Sequence, residues 1–329
     1  MNKFYIEFYD LFFEIHAEKA LFERSFLGLI KECYSQTPDY IINFCGIIEK
    51  TKLIPFCTGT KVANFMGNYY YSHRISATET ILIHLDDSNG SHMLHCLGNK
   101  INIYSIDKYC DCIWAVRICQ EIILTEMLRK GFVPVHASAV EYMNTGVLIF
   151  GHKRDGKSTT MLSLVEEGCN VMANDLVFLG KDSSGCWIVV GWPWKLTIGN
   201  TLLSKTKYND YITRNSINDK TAFYPSEFCT IFNCHWSWNT RLNLIIHPQI
   251  KIGKPIHIAT ITKDNAKNML INMGIEYPTI NCIFTTEKLI PDYETVFADL
   301  ANNFSIINIT GDIWENKAAI KEIVEKDKV

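Results

Sequence analysis

The sequence predicts an α/β fold over residues 132–329, preceded by a smaller, mainly β domain over residues 1–105. Three observations carry this reading. A buried-strand run, Val147-Leu148-Ile149-Phe150, enters a glycine-framed loop, Gly151-His152-Lys153-Arg154-Asp155-Gly156-Lys157-Ser158. An amphipathic helical pattern, Thr159 to Val165, follows at once, and beyond it β-branched runs alternate with helical patterns. Before residue 106, short aromatic and β-branched runs dominate instead.

Taken in order, the first domain shows strand runs at Tyr40–Phe44, Asn68–Tyr71, Thr80–Leu85 and Ile101–Ile106, with a short helix at Leu21–Cys33. Asp87-Ser88-Asn89-Gly90 signals a tight hairpin, because Asn-Gly accepts positive φ at little cost. Residues 106–131 read as a connecting helix. In it Ile113, Val116, Ile122, Ile123 and Leu128 interleave with Arg117, Glu121, Glu126 and Arg129, and Gly131 stops it. Strands Phe132–Val140 and Gly146–Phe150 come next, then the loop and a helix Lys157–Glu167 that Gly168 ends. Asn170–Ala173 and Leu176–Leu179 read as the following strands. Further strands are expected at Ile188–Val190, Leu242–His247, His257–Ile261 and Ser305–Ile309. Helices are expected at Asp264–Met273, Tyr293–Asn303 and Ile313–Lys326.

Composition bounds the function. With 329 residues, 47% hydrophobic and 20% charged, the chain suits a globular protein of two domains. A formal net charge of -3 gives no basic excess for a nucleic-acid backbone, so no nucleic-acid partner is expected. No apolar run reaches about 18 residues, so no membrane span is expected either. The 12 cysteines are scattered, and the first residues lack a signal-peptide pattern. Free thiols in a reducing, cytoplasmic compartment follow from that. A homo-oligomer fits this composition as well as a monomer does.

The loop has the spacing G-x-x-x-x-G-K-S, and each part has a chemical reason. Gly151 and Gly156 let backbone N–H groups converge on phosphate oxygens. Lys157 places an ammonium on the terminal phosphates, and Ser158 offers a hydroxyl to Mg²⁺. The helix starting there aims its positive end at the anion. Lys153, Arg154, Asp155 and Thr159 complete the expected cofactor-binding set, with ATP or another nucleoside triphosphate and Mg²⁺ as cofactors. Asp175, leaving the strand Asn170–Ala173, is placed to hold the metal with Ser158, because one short helix returns the chain beside the first strand. His136 lies on the preceding strand and joins them if the two strands are neighbours.

These segments resemble a family. Val135-His136-Ala137-Ser138-Ala139-Val140, Gly146 to Gly151, Asp155-Gly156-Lys157-Ser158-Thr159, Gly168 and Ala173-Asn174-Asp175 are similar to the catalytic core of HPr kinase/phosphorylase and its kinase relatives. That core is in turn similar to the nucleotide site of ATP-dependent phosphoenolpyruvate carboxykinases. The resemblance is close over residues 132–180. It is looser to about 250, through Gly191 to Leu196 and Asp219 to Pro225, and does not reach residues 1–100. It implies a P-loop kinase core and transfer of a γ-phosphoryl group to a serine hydroxyl with Mg²⁺. Asp175 would bind metal and take the hydroxyl proton, with His136 orienting it. A further cation should face the γ-phosphate; Lys195, Lys220 and Arg241 are candidates, and Lys220 is preferred because it lies in a resembling segment.

This sequence departs from the family in two places. The first of two adjacent carboxylates is replaced by Asn174, an amide that cannot act as a base, which sets phosphorolysis in doubt. The loop carries His152-Lys153-Arg154-Asp155 in place of small residues. Both point to a relative with another acceptor, a peptide or protein hydroxyl, because such relatives include kinases acting on serine in lasso-peptide precursors. Two alternatives stay open: a small-metabolite kinase, and a nucleotide-binding regulatory module without transfer. Cys110-Asp111-Cys112 and Cys229 with Cys234 lack zinc spacing and read as free cysteines. His84, His92 and His95 read as a solvated hairpin. Trp187, Trp192, Trp194, Trp236 and Trp238 read as core or as the wall of an acceptor groove.

Overall fold

A computed structural model of the chain describes residues 2–64, 67–86, 90–106, 113–212, 219–274, 280–285 and 289–326. They form a mixed α/β protein in two compact units. Unit 1 is Met1–Arg129 with Thr279–Ile290, and unit 2 is Lys130–Pro278 with Pro291–Val329. The helix expected as a connector thus falls inside unit 1. The hairpin turn at 87–89 and the Cys110-Asp111-Cys112 run lie outside the described residues.

Unit 1 holds β1 (Asn2–Phe8), β2 (Leu11–Ala17), α1 (Lys19–Ser25), β3 (Ile30–Lys31), β4 (Tyr40–Ile48), β5 (Thr60–Ala63), β6 (Tyr69–Arg74), β7 (Glu79–His84), β8 (His92–Leu97), β9 (Lys100–Ile106) and α2 (Ile113–Arg129). The strands make one sheet in the order β3-β1-β2-β4-β9-β8-β7-β6-β5. The β1–β2 hairpin has no counterpart in the sequence reading. Its strands alternate well, with Phe4, Ile6, Phe8, Phe13 and Ile15 fully buried. Its turn is made by Tyr9-Asp10, with Tyr9 at φ 56, so no Gly or Pro marks it. The expected helix to Cys33 stops at Ser25, because Gly28 turns the chain at φ 76 and Ile30–Lys31 pairs with β1.

The solvated-hairpin reading of the histidines is corrected for two of them. His92 is fully buried, His84 is 5% exposed, and they face each other across β7 and β8. The His92 ring stacks on Trp114 with centroids 3.9 Å apart. Gly90 O can only accept, so His92 Nδ1 donates to it at 3.2 Å, and Nε2 accepts from the Tyr70 hydroxyl at 3.1 Å. Burial holds this imidazole down to about 3. The unfolded chain therefore binds a proton near 6.5 that the folded chain refuses until about 3, so this contribution to stability is full above 6.5 and drains as pH falls. The expected loss is about 1.4 kcal/mol per pH unit below 6.5 from this one group. Urea unfolding at pH 7, 6 and 5 checks it: His92→Gln should flatten the slope by about one proton, and an unchanged slope would discard the assignment.

Unit 2 holds β10 (Val133–Val135), β11 (Ala137–Tyr142), β12 (Thr145–Phe150), α3 (Lys157–Glu166), β13 (Asn170–Ala173), β14 (Val177–Lys181), β15 (Trp187–Gly191), β16 (Leu196–Gly199), α4 (Asn200–Leu203), β17 (Lys220–Phe223), α5 (Pro225–Phe232), β18 (Asn239–Ile250), β19 (His257–Ile261), α6 (Lys263–Gly274), α7 (Tyr293–Asn303), β20 (Ile306–Gly311) and α8 (Lys317–Lys326). Its main sheet runs β10-β14-β15-β18-β12-β11-β13, with β20 also on β18 and β19 on β20. Both faces are covered. Val147 and Ile149 pack with Met161 and Leu164 of α3 and with Ile320 and Val324 of α8. Leu148 and Phe150 pack the other way, with Leu270 of α6 and Phe297 and Leu300 of α7. A strand buried on both faces has to be apolar throughout, which is why the run before the loop shows no alternation. Among the described residues, no helix is long and apolar enough to cross a membrane.

Candidate active site

Sheet order brings the expected site residues together. Strands β12 and β18 run parallel, and so do β18 and β20. β11 runs antiparallel between β12 and β13, so those two strands end on the same side. The sequence reading placed Asn170–Ala173 directly beside the first strand; β11 intervenes. The expected single strand Phe132–Val140 is also broken at His136, since β10 pairs with β14 while β11 pairs with β12 and β13. That break sets His136 at the start of β11, between the carboxyl ends of β12 and β13. Ligands of open α/β sheets bind outside the carboxyl ends of parallel strands, and here the loop from Gly151 and the Asn174-Asp175 turn leave from those ends.

A cavity of about 1180 Å³ opens there. His136, Gly151, Lys153, Arg154, Gly156, Lys157, Ser158, Thr159, Asp175 and Lys220 all line it. Asp155, expected with them, does not. It turns back into the loop, where a carboxylate oxygen accepts from the His152 N–H at 2.6 Å and lies 3.4 Å from His247 Nε2. A Cβ on Gly151 would come within 3.0 Å of that carboxylate oxygen and 3.2 Å of the His247 ring. Gly151 therefore serves close packing behind the loop. His247 is buried, and its Nδ1 lies 2.9 Å from Asn308 Oδ1. His247, at the end of the buried run Leu244-Ile245-Ile246, went unassigned in the sequence, because its partner is 92 residues away.

Gly156 has φ 113, in the left-handed region, and precedes the first turn of α3. A side chain there would meet Ile250 at 2.4 Å. Lys157 is buried, and its ammonium donates to Gly151 O at 2.7 Å and His152 O at 3.1 Å, closing the loop on itself. Thr160 Oγ1 donates to Gly156 O at 3.0 Å. The loop thus has its own hydrogen-bonded shape, with Lys157 at its centre.

The Asn174-Asp175 pair divides its work. Asn174 is buried, and its amide donates to Thr197 O at 2.7 Å. That fixes Oδ1 as an acceptor, which takes the Ser138 hydroxyl at 2.6 Å and the Ser158 hydroxyl at 3.1 Å. With its proton donated there, the Ser158 hydroxyl still has oxygen lone pairs with which it can accept or coordinate. Asp175 sits at φ 85, a region Asp tolerates better than most residues, and accepts from Thr197 Oγ1 at 2.7 Å. Thr197, on β16, thus holds both residues; sequence reasoning missed it, since a lone Thr in an apolar strand carries no signal. Among the described residues there is no group of three or more His, Cys, Asp or Glu that could hold a metal. A hard cation would take oxygens from Ser158 and Asp175 and complete its shell with ligand and water oxygens, the habit of Mg²⁺.

The three candidate cations separate. Lys220, paired with Gly199 at the edge of the β16–β17 ribbon, lines the cavity. Lys195 lies over the Tyr224 ring at 4.4 Å. Arg241 is opposite Thr145, at the far end of β12 from the loop. Lys205, which no sequence motif marks, also lines the cavity. Of the tryptophans, Trp314 lines it, with Ile250 and Ile252, rather than Trp187, Trp192, Trp194, Trp236 or Trp238. Trp187 instead donates to Asp299 at 3.0 Å.

No family model matches the chain, and no curated protein matches it. Among solved structures, it is similar to the Hpr(Ser) kinase/phosphatase from Coxiella burnetii, at 14% identity, over 59% of this chain and 95% of that one, with a TM-score of 0.30. This is a distant structural relation.

Proposed function

We propose that this protein is an ATP- and Mg²⁺-dependent kinase, built on a P-loop core, that transfers the γ-phosphoryl group to a hydroxyl of a peptide or protein, serine by the sequence resemblance. The observation supporting this most is the convergence of His136, Lys157, Ser158 and Asp175 on one cavity at the N-terminus of α3. Bound magnesium would neutralise charge on the transferring group. The chain's own residues do the rest. N–H groups of the loop and of the first turn of α3 donate to phosphate oxygens. Lys157 adds positive charge at the loop's centre, where Gly151 O and His152 O hold its ammonium. Ser158 gives its proton to Asn174 and its oxygen to the metal. Asp175, held by Thr197, takes the acceptor hydroxyl's proton, and His136 lines the same cavity. Lys220 and Lys205 line the wall made by β16, α4 and β17, from which they would face the γ-phosphate and the acceptor.

The cavity exceeds the roughly 300–1,000 Å³ typical of a small-ligand pocket, which leaves room for an acceptor beside a nucleotide. The neutral Asn174 against Ser158 favours one rival reading, a regulatory module that holds nucleotide without transfer. Calorimetric titration with ATP, with and without Mg²⁺, followed by incubation of γ-labelled ATP with serine-containing peptides, separates them. The kinase reading expects Mg²⁺-dependent uptake and label on a hydroxyl. Uptake without label leaves the binding module, and no uptake ends both.

A further inference from the structure

Unit 1 contains a second cavity, of about 790 Å³, with no part in the chemistry above. Strand register builds its floor. Arg74 pairs with Thr80, Thr80 with Cys96 and Cys96 with Ile101, a row across β6, β7, β8 and β9. Ser72 and Leu82 form the next row two residues along, on the same face. All six line the cavity. One wall is α2, through Ile122, Thr125 and Arg129, whose spacing of three and four puts them on one helical face. Another is the segment from Ile280 to Thr285, tied to α2 where the Ile283 N–H donates to Glu121 Oε1 at 3.2 Å.

Its polarity is asymmetric. Leu82, Ile101, Ile122 and Ile280 are at most 2% exposed and make an apolar bottom. Burial pushes the Cys96 thiol up to about 12 and the Cys282 thiol up to about 11, so neither adds charge at neutral pH. The mouth carries Arg74 and Arg129, and no Asp or Glu is among the described lining residues. Glu126, just outside, accepts from Arg129 at 2.5 Å and from the Tyr40 hydroxyl at 2.8 Å. Lys61 also borders the cavity, but it pairs with Tyr71 and its ammonium lies over that ring, on the other face of the sheet from Ser72, Arg74 and Leu82. Arg74 Nε donates to Ser76 O at 3.3 Å, which leaves its positive charge without a carboxylate partner among the described contacts.

We infer that this cavity binds a small amphipathic organic anion, its apolar body on Leu82, Ile101 and Ile122 and its anionic head at Arg74. The charge pattern selects the class, since an apolar floor alone would take a neutral molecule equally well.

The intact protein titrated with 1-anilinonaphthalene-8-sulfonate, read by fluorescence, tests this. Saturable binding is expected, displaced by octanoate and much less by octanol or octylamine. Arg74→Glu should raise the Kd at least about tenfold, a change of about 1.4 kcal/mol. Thr80→Trp, which fills the floor, should abolish the signal. Arg74 is exposed, so the charge variant keeps the fold, and its result counts whatever Thr80→Trp does to stability. Binding untouched by Arg74→Glu, or displacement by octanol as strong as by octanoate, overturns the inference. A Mg²⁺–ATP titration of the same samples reads unit 2 separately, so failure here is distinct from failure of the kinase reading.

Discussion

Lys157→Met is expected to lower phosphoryl transfer by about 10³-fold, the scale of losing one preorganised charged donor in a site that excludes water. The reason lies in two features of one side chain. Its ammonium is the positive charge at the centre of the loop, and it also joins Gly151 O to His152 O. Met keeps the stem and its packing while removing the charge, so the change is electrostatic before it is steric. Nucleotide affinity should fall with the rate, because in the proposed site the ammonium would meet the phosphates in the ground state as well. The measurement is the initial rate of label transfer from γ-labelled ATP together with a calorimetric Kd, alongside a thermal melt. A variant that melts normally and still transfers at near wild-type rates would remove Lys157 from the chemistry, and the reading of the loop with it.

Asp175→Asn is expected to behave differently. Asn fits the same φ 85 and can still accept from Thr197 Oγ1, so the turn should survive. What disappears is the carboxylate that, on the proposed reading, would take the proton and hold the metal. Transfer should fall by about 10²–10⁴-fold, the usual contribution of a positioned general base, while nucleotide affinity measured without Mg²⁺ changes far less. The split between rate and affinity is the signature. A rate unchanged in Asp175→Asn would mean that the proton goes elsewhere. A parallel loss of both would mean that the residue only binds. Thr197→Ala gives a graded control, since it leaves the carboxylate and removes the hydroxyl that aims it.

Several parts of this molecule were legible in the sequence because their cause is local. Thr145–Phe150 and Lys157–Glu166 form the strand and helix expected on either side of the loop, since apolar periodicity, Gly156 and Lys157-Ser158 all lie within one stretch of chain. Helices Tyr293–Asn303 and the C-terminal Lys317–Lys326 follow their amphipathic patterns, the latter shorter than expected because 313–316 form a turn. The β1–β2 hairpin was not legible, because Tyr9-Asp10 carries none of the usual turn chemistry.

The sequence by itself determined the chemistry on offer: a glycine-framed loop, a lysine, a hydroxyl, a carboxylate and an imidazole at fixed positions along the chain. Only the tertiary structure decided where they sit and what they touch. It turned Asp155 back toward His247, set Asn174 rather than Asp175 against the Ser158 hydroxyl, and brought Thr197 under both. It also chose Lys220 over Lys195 and Arg241 for the cavity wall, and buried His92 against Trp114. Each of these depends on which strands become neighbours, and strand neighbours are chosen by burial of both sheet faces across the whole unit, a quantity no local window of sequence contains.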